Sequence, residues 1–221
     1  MSAPVTRPAV RLIARLMERF LMRVTVSGRQ NLPSGGPLLL AFNHLGHFDA
    51  PLLIATLPWD VEALALSDLL RVPVTGQMCR LYGVIPVHRD AFDRAVLDRA
   101  LDILGNGGVL ALAPEARQSL TGALEKARHG AAYLALKTRA PILPVALTGT
   151  ENAVFYGAWK AHRRPLVTIT IGPLFHLPYL SLDGPQRRQS VEDASTLIMT
   201  RLAALLPAAY RGVYAGMAQR P

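Results

Sequence analysis

Six short apolar runs rich in β-formers recur along the chain, and most close on a polar or turn-forming cluster: "LLLAFN" (38–43), "VEALAL" (61–66), "GVIPVHRD" (83–90), "GVLALAP" (108–114), "PILPVALTG" (141–149) and "LVTITIG" (166–172). The third is cut by Pro86 and is expected to end near it, since proline has no N–H to give a sheet. Between the runs lie segments of helical period. Residues 91–108 place apolar side chains at 92, 96, 97, 101, 103 and 104 before a glycine stop, and 129–140 and 191–206 read as further helices. Strands spaced by helices predict an α/β fold with a mixed, largely parallel sheet flanked by helices. In such sheets, sites gather in the crevice at the carboxyl ends of strands, and polar clusters fall there at 43–49, 87–90 and 114–119. Residues 177–189 are expected as a loop.

The chain's 221 residues suit one ordinary domain, and with 51% hydrophobic and 18% charged residues a sizeable core is expected. Mean hydropathy is +0.25, high for a freely soluble protein, yet no run reaches the roughly 18 apolar residues of a spanning helix. The formal net charge of +9 favours anionic partners. With 6% aromatics and no nucleic-acid module in view, nucleic acid is not the expected one. The single cysteine, Cys79, is read as a small apolar residue, with no second thiol for a disulfide or a zinc site.

The first residues, with arginines scattered through them, do not read as a secretory signal. Arginines recur at 7, 11, 15, 19 and 23, and Val10, Ile13, Met17, Phe20, Leu21 and Val24 fill much of the remaining circumference. This predicts a basic amphipathic helix about 24 Å long between Arg7 and Arg23, suited to lying in a headgroup plane with its guanidinium groups reaching phosphates. The alternative is an ordinary surface helix packed on the core. The expected division is therefore 1–27 as a membrane-surface helix and 28–221 as the catalytic domain, peripheral on an anionic membrane surface.

The densest polar cluster is "FNHLGHFDAPLL" (42–53). A metal would need His44, His47 and Asp49 together, but Gly46 breaks the segment where zinc motifs usually run on a continuous helix, and no other cluster completes a coordination sphere. No metal is expected. A histidine whose other ring nitrogen meets a carboxylate is a general base, and Asp49 can fold back onto His44 across a turn. No G-x-S-x-G nucleophile motif accompanies them, which suits activation of a substrate's own hydroxyl. The bland alternative remains open at this stage: Asp49 as a helix cap and His44 as packing. Arg89, at the end of a strand, offers a fork suited to phosphate, or a surface pair with Asp90 or Asp93. Glu115, Arg117 and Ser119 follow another strand as either a polar site or a solvated turn.

Taken in order, "NHLGHFD", "GVIPVHR", "PEARQS" and "PILPVALTG" resemble the four blocks of the glycerolipid acyltransferases, the family that includes 1-acylglycerol-3-phosphate acyltransferase. The resemblance spans residues 42 to 150 and implies that family's glycerol-3-phosphate acyltransferase-like α/β fold. It implies that His44 takes the proton from an acceptor hydroxyl that attacks an acyl thioester directly, with Asp49 orienting His44. Arg89 is then the grip on the acceptor's phosphate, with Glu115, Arg117, Gly83 and Pro144 shaping the substrate site. No cofactor is implied beyond acyl-CoA or acyl carrier protein as co-substrate. The partners implied are a lysophospholipid acceptor and that donor, at the cytoplasmic face of the cell membrane. Other acceptors (a glycolipid or an aminolipid) and a non-catalytic lipid-binding relative are the alternatives.

Three positions depart from the family pattern. Ala116 stands where glycine is usual, Arg117 comes one place early with Gln118 in the common arginine position, and the segment "ALSDLLRVP" offers Ser67 and Arg71 where many members have lysine.

Overall fold

A computed structural model describes residues 5–88, 94–182 and 184–217. In chain order the elements are α1 (Arg7–Leu21), β1 (Arg23–Ser27), β2 (Leu38–Phe42), α2 (Asp49–Thr56), β3 (Val61–Leu66), α3 (Thr75–Tyr82), β4 (Ile85–Val87), α4 (Arg94–Gly105), β5 (Val109–Leu112), α5 (Gly130–Thr138), β6 (Ile142–Thr148), α6 (Asn152–Lys160), β7 (Leu166–Ile171) and α7 (Arg187–Ala203). Short 3₁₀ turns join some of them.

The strands form one sheet in the order β1-β7-β6-β2-β5-β3-β4. The five strands from β6 to β4 are mutually parallel, while β7 runs antiparallel to β6 and β1 runs parallel to β7. The sheet is thus mixed and mostly parallel, as the spacing of apolar runs predicts.

Every residue of β2 is buried, because helices cover both faces of the sheet. Leu38, Leu40 and Phe42 pack with Leu52, Leu53 and Phe155, whereas Leu39 and Ala41 pack with Ile103, Ala132 and Ile198. The period of two thus sends alternate residues to two separate cores, one under α2 and α6, the other under α4, α5 and α7.

Pro144 sits inside β6, where a proline ought to break the ladder. It is tolerated because the neighbouring chain bulges there. Val145 faces Ile171 and Ile142 faces Phe175, so the partner carries one more residue than β6 over that interval. The Pro144 carbonyl still accepts from Gly172 N–H at 2.9 Å.

The N-terminal region departs from expectation in two ways. First, the helix stops at Leu21, and Arg23–Ser27 is an edge strand of the main sheet, so the helical appendage expected to run to residue 27 ends before the strand begins. Second, the arginine stripe starts out facing the protein. Arg7 is 3% exposed and makes two bonds to the Glu62 carboxylate, at 2.8 and 2.7 Å; Arg11 reaches Asp60 at 3.0 Å. The apolar side chains Leu12, Ile13, Leu16 and Phe20 are the exposed ones. A buried guanidinium needs a carboxylate, and Glu62 and Asp60 supply it. No described helix is long and apolar enough to cross a membrane.

Candidate active site

The site grows from the end of β2. Asn43 is fully buried, and its amide donates to the Leu147 carbonyl at 2.8 Å while accepting from the Leu147 N–H at 2.7 Å. This fastens the end of β2 to β6 one residue before His44.

The chain then turns through 44–48 and enters α2 at Asp49. The Asp49 carboxylate does not cap its own helix. One oxygen, Oδ2, turns back to His44 Nδ1 at 2.7 Å and also accepts the N–H groups of Leu45 at 2.6 Å and Gly46 at 2.8 Å. Asp49 is wholly buried, and three donors on one oxygen stabilise its charge there. The His44 side chain keeps 32% of its surface exposed. With Nδ1 committed to Asp49, Nε2 is the ring nitrogen left for a ligand.

Gly46 is required by this turn. A Cβ there would lie 1.8 Å from the Thr150 carbonyl oxygen, so only glycine lets the loop after β2 pass the loop after β6.

His47 takes no part in the pair. Its backbone N–H donates to Asn152 Oδ1 at 3.1 Å and its Nδ1 lies 3.2 Å from the Tyr156 hydroxyl. Phe48 stacks on Phe155 with 4.0 Å between centroids, and Trp159 meets both edges. The first turns of α6 thus form an aromatic wall behind the His44 turn.

The loop after β5 closes on His44 from the other side. Ser119 N–H donates to the His44 carbonyl at 2.8 Å, and Glu115 Oε2 stands 3.4 Å from the His44 N–H. Glu115 Oε1 accepts from Glu125 N–H at 2.6 Å. Glu115 is 3% exposed, and burial pushes its carboxyl above the ordinary range against the pull of those two N–H groups. Glu115 therefore anchors backbone on both sides of the site.

Ala116 has φ of +57°, the conformation that glycine would adopt freely. A residue with a Cβ therefore holds a left-handed backbone conformation in this turn. Arg117 is turned to Glu125, with Nε donating at 2.9 Å, and that pairing occupies it. Glu125 is held below the usual carboxylate range by the Leu120 N–H first and then by Arg117.

Gly83 lies elsewhere, at the C-cap of α3 with φ of +79°, its N–H donating to the carbonyls of Cys79 and Arg80. Pro144 is buried in β6. Arg89 lies outside the described residues. Ser67 donates to the Val87 carbonyl at 3.1 Å, and Arg71 is a solvated side chain 3.7 Å from Asp68.

The structure therefore gathers His44, Asp49 and Glu115, and turns Arg117 to Glu125. Residues that sequence reasoning passed over are Asn43, whose only signal is a polar residue closing an apolar run, and Asn152, whose side-chain oxygen accepts the His47 N–H; Ser119, singled out with its strand-end cluster, acts through its backbone N–H. Among the described residues no group of three or more His, Cys, Asp and Glu side chains is placed to hold a metal.

The model of the Acyltransferase family matches residues 23–148, more than half of the chain. A 1-acyl-sn-glycerol-3-phosphate acyltransferase of Borreliella burgdorferi is 29% identical over 133 residues, covering 59% of this chain and 53% of that protein. A chloroplastic 1-acyl-sn-glycerol-3-phosphate acyltransferase of Brassica napus is 28% identical over 139 residues, 62% of this chain and 40% of that protein. This chain thus spans about half or less of the length of these relatives. The crystal structure of the 1-acyl-sn-glycerophosphate acyltransferase of Thermotoga maritima superimposes with a TM-score of 0.63 over 87% of this chain and 78% of that one, at 22% identity, and so shares the fold.

Proposed function

Since this chain belongs to the Acyltransferase family, we propose that it transfers a fatty acyl group from a thioester, acyl-CoA or acyl carrier protein, to the free hydroxyl of a lysophospholipid. The acceptor proposed is 1-acylglycerol-3-phosphate, giving phosphatidate. The observation that carries the reading is the 2.7 Å contact between His44 Nδ1 and the buried Asp49 carboxylate beside a partly exposed imidazole.

In this mechanism His44 Nε2 takes the proton of the acceptor hydroxyl as its oxygen attacks the thioester carbonyl carbon. The new C–O bond forms, the C–S bond breaks, and the imidazolium returns its proton to the departing thiolate. Asp49 keeps the proton of the neutral ring on Nδ1 and stabilises the cation formed in passing. Glu115 and Ser119 hold the His44 backbone, and Arg89 is proposed to bind the acceptor's phosphate. No covalent intermediate on the protein is needed.

Membrane contact follows from the same proposal. The exposed Leu12, Ile13, Leu16 and Phe20 on α1 would enter the interface at the cytoplasmic face of the cell membrane, and the net charge of +9 would favour anionic lipid.

One observation favours a different acceptor, a glycolipid or aminolipid: Arg117 is paired with Glu125, which competes with a phosphate for it. A purified-protein assay decides. Thioester consumption with a panel of lysolipids should be fastest with lysophosphatidate, and His44→Ala should abolish it while near-native circular dichroism and vesicle binding remain. Transfer retained by His44→Ala would end the general-base mechanism. No thioester consumption with any acceptor would favour a lipid-binding protein without catalysis.

A further inference from the structure

The arginine stripe of α1 does not stay on one face. Residues four apart advance about 40° around a helix, so Arg7 and Arg19 point roughly 120° apart. Arg7 and Arg11 end on Glu62 and Asp60, and Arg15 Nε donates to the Ala55 carbonyl at 3.2 Å. Arg19 reaches no carboxylate within 4.0 Å among the described residues. It opens instead on a cavity of about 850 Å³ between α1, the start of β1 and the end of α2.

Four arginines line that cavity, namely Arg15, Arg19, Arg29 and Arg164, against one acid, Glu18. Arg164 is fixed in place, its guanidinium donating to the carbonyls of Arg19 and Met22 at the end of α1. Thr56 is also on the wall, and its buried hydroxyl has no hydrogen-bond partner among the described residues. Burial pushes the Glu18 carboxyl up even though Arg29 and Arg15 pull it down. Four guanidinium groups against one carboxyl leave the lining with an excess of positive charge, which an anion would balance. A tetrahedral phosphate, with several acceptor oxygens, suits guanidinium groups contributed by different segments better than one carboxylate does.

The cavity also touches an apolar track. Phe20 is 66% exposed on its rim, and Leu16, Ile13 and Leu12 continue outward along α1. The His44–Asp49 pair is elsewhere: Ala55 and Thr56 are at the far end of α2 from Asp49, about 9 Å along the helix axis.

We propose that this cavity binds the phosphate head group of an anionic membrane lipid as a site separate from the catalytic pair, with the lipid's acyl chains running along Phe20 and Leu16. Zwitterionic lipids carry an ammonium that four guanidinium groups repel, so the site selects anionic head groups. It thereby turns a general attraction to the membrane into recognition of one lipid class. The proposal rests on the membrane-surface part of the reading above, and acyl transfer is not required for it.

The test is flotation with vesicles of phosphatidylcholine alone and of phosphatidylcholine doped with phosphatidylglycerol, with no acyl donor present. Arg19→Gln with Arg29→Gln should weaken binding to the doped vesicles by about a hundredfold, as loss of two charge-assisted contacts would. Arg23→Gln with Arg163→Gln removes the same charge from neighbouring exposed positions outside the cavity and should cost clearly less, at most the roughly thirtyfold that two charges near a membrane surface are worth. Glu18→Gln should strengthen binding. Soluble glycerol 3-phosphate should release the protein from doped vesicles, whereas choline chloride at equal ionic strength should not. Equal losses in the two double variants would mean a diffuse basic surface and overturn the site. Binding of glycerol 3-phosphate with no preference between the vesicles would assign the cavity to a soluble phosphate compound and overturn the lipid. Because no donor is used, either failure leaves the acyl-transfer reading intact.

Discussion

The side-chain amide of Asn43 and the peptide unit of Leu147 exchange two hydrogen bonds, at 2.8 and 2.7 Å, in a wholly buried position. Asn43 thereby prolongs the ladder between β2 and β6 by one rung made of side chain, and His44 begins where that rung ends. The turn that carries His44 and Asp49 is thus held to the sheet by the residue next to His44.

Replacing Asn43 with Leu keeps the approximate shape but leaves the Leu147 N–H and carbonyl unpaired, at a cost of about 2–4 kcal/mol for the two groups. The urea midpoint should fall accordingly, and kcat should drop at least about tenfold because the His44 turn loses its tether. Asn43→Asp should be worse, since it sets a carboxylate oxygen against the Leu147 carbonyl. A midpoint unchanged in Asn43→Leu would mean that the rung carries no load.

How much of this was legible beforehand differs by residue. The strands at 142–148 and 166–171 are legible because a strand buried on both faces is a continuous apolar run and one open to solvent on one face alternates. The His44–Asp49 contact was legible as one of two readings, since the same spacing allows Asp49 to cap its helix; the carboxylate turns back to the ring instead. The direction of the arginines was not. Spacing gives their angular drift but not the starting face, and that was set by Glu62 and Asp60, which are distant in sequence. The strand at 23–27 was hidden because its partner, β7, lies some 140 residues on, with five contiguous pairs from Arg23–Leu166 to Ser27–Thr170. Helix α6, with Gly157 inside it and aromatic residues on several sides, offers no clean apolar stripe.

Ala116 carries the backbone of a missing glycine. A non-glycine residue at φ of +57° costs about 1–2 kcal/mol, of which glycine's larger unfolded-state entropy takes back about 0.5–1 kcal/mol. Ala116→Gly should therefore stabilise the protein by about 0.5–1 kcal/mol, read as a higher urea midpoint, with kcat within about twofold of the parent. A lower midpoint would show that the methyl group packs well enough to outweigh the strain.

Glu115 gives a pH signature. Its carboxyl is raised in the fold, chiefly by burial, so the folded protein binds that proton more tightly than the unfolded chain does. Its contribution is complete below the unfolded carboxyl value near 4.5 and is lost as pH rises through the higher folded value. Glu115→Gln is neutral throughout. The stability difference, parent minus variant, should therefore fall as pH rises from about 4 into the neutral range and then level off. Urea unfolding of both proteins at several pH values measures it, and a difference that rises with pH would reverse the sign of the shift. The variant should also be less stable at every pH, since one end of the amide now presents N–H groups to the Glu125 or His44 N–H.

Arg7 and Glu62 fasten α1 to the edge of β3 in a setting where the arginine is 3% exposed and the glutamate side chain 20%. Arg7 also donates from Nε to the Tyr82 carbonyl at 2.9 Å and lies over the Tyr82 ring at 4.9 Å. Removing only the acid strands a buried cation, so Glu62→Ala should cost about 3–5 kcal/mol. The partial exposure of Glu62 puts the expected loss toward the lower end of that range. Replacing both residues with apolar ones, Arg7→Met with Glu62→Leu, removes the stranded charge along with the pair and should cost less than Glu62→Ala alone. The order of the urea midpoints is the measurement: parent first, the double variant next, Glu62→Ala last. If the double variant were the least stable, the pair would be worth more than its desolvation, and α1 would depend on the ion pair itself instead of on Val10 and Ala14 packed against Ile54 and Ala55.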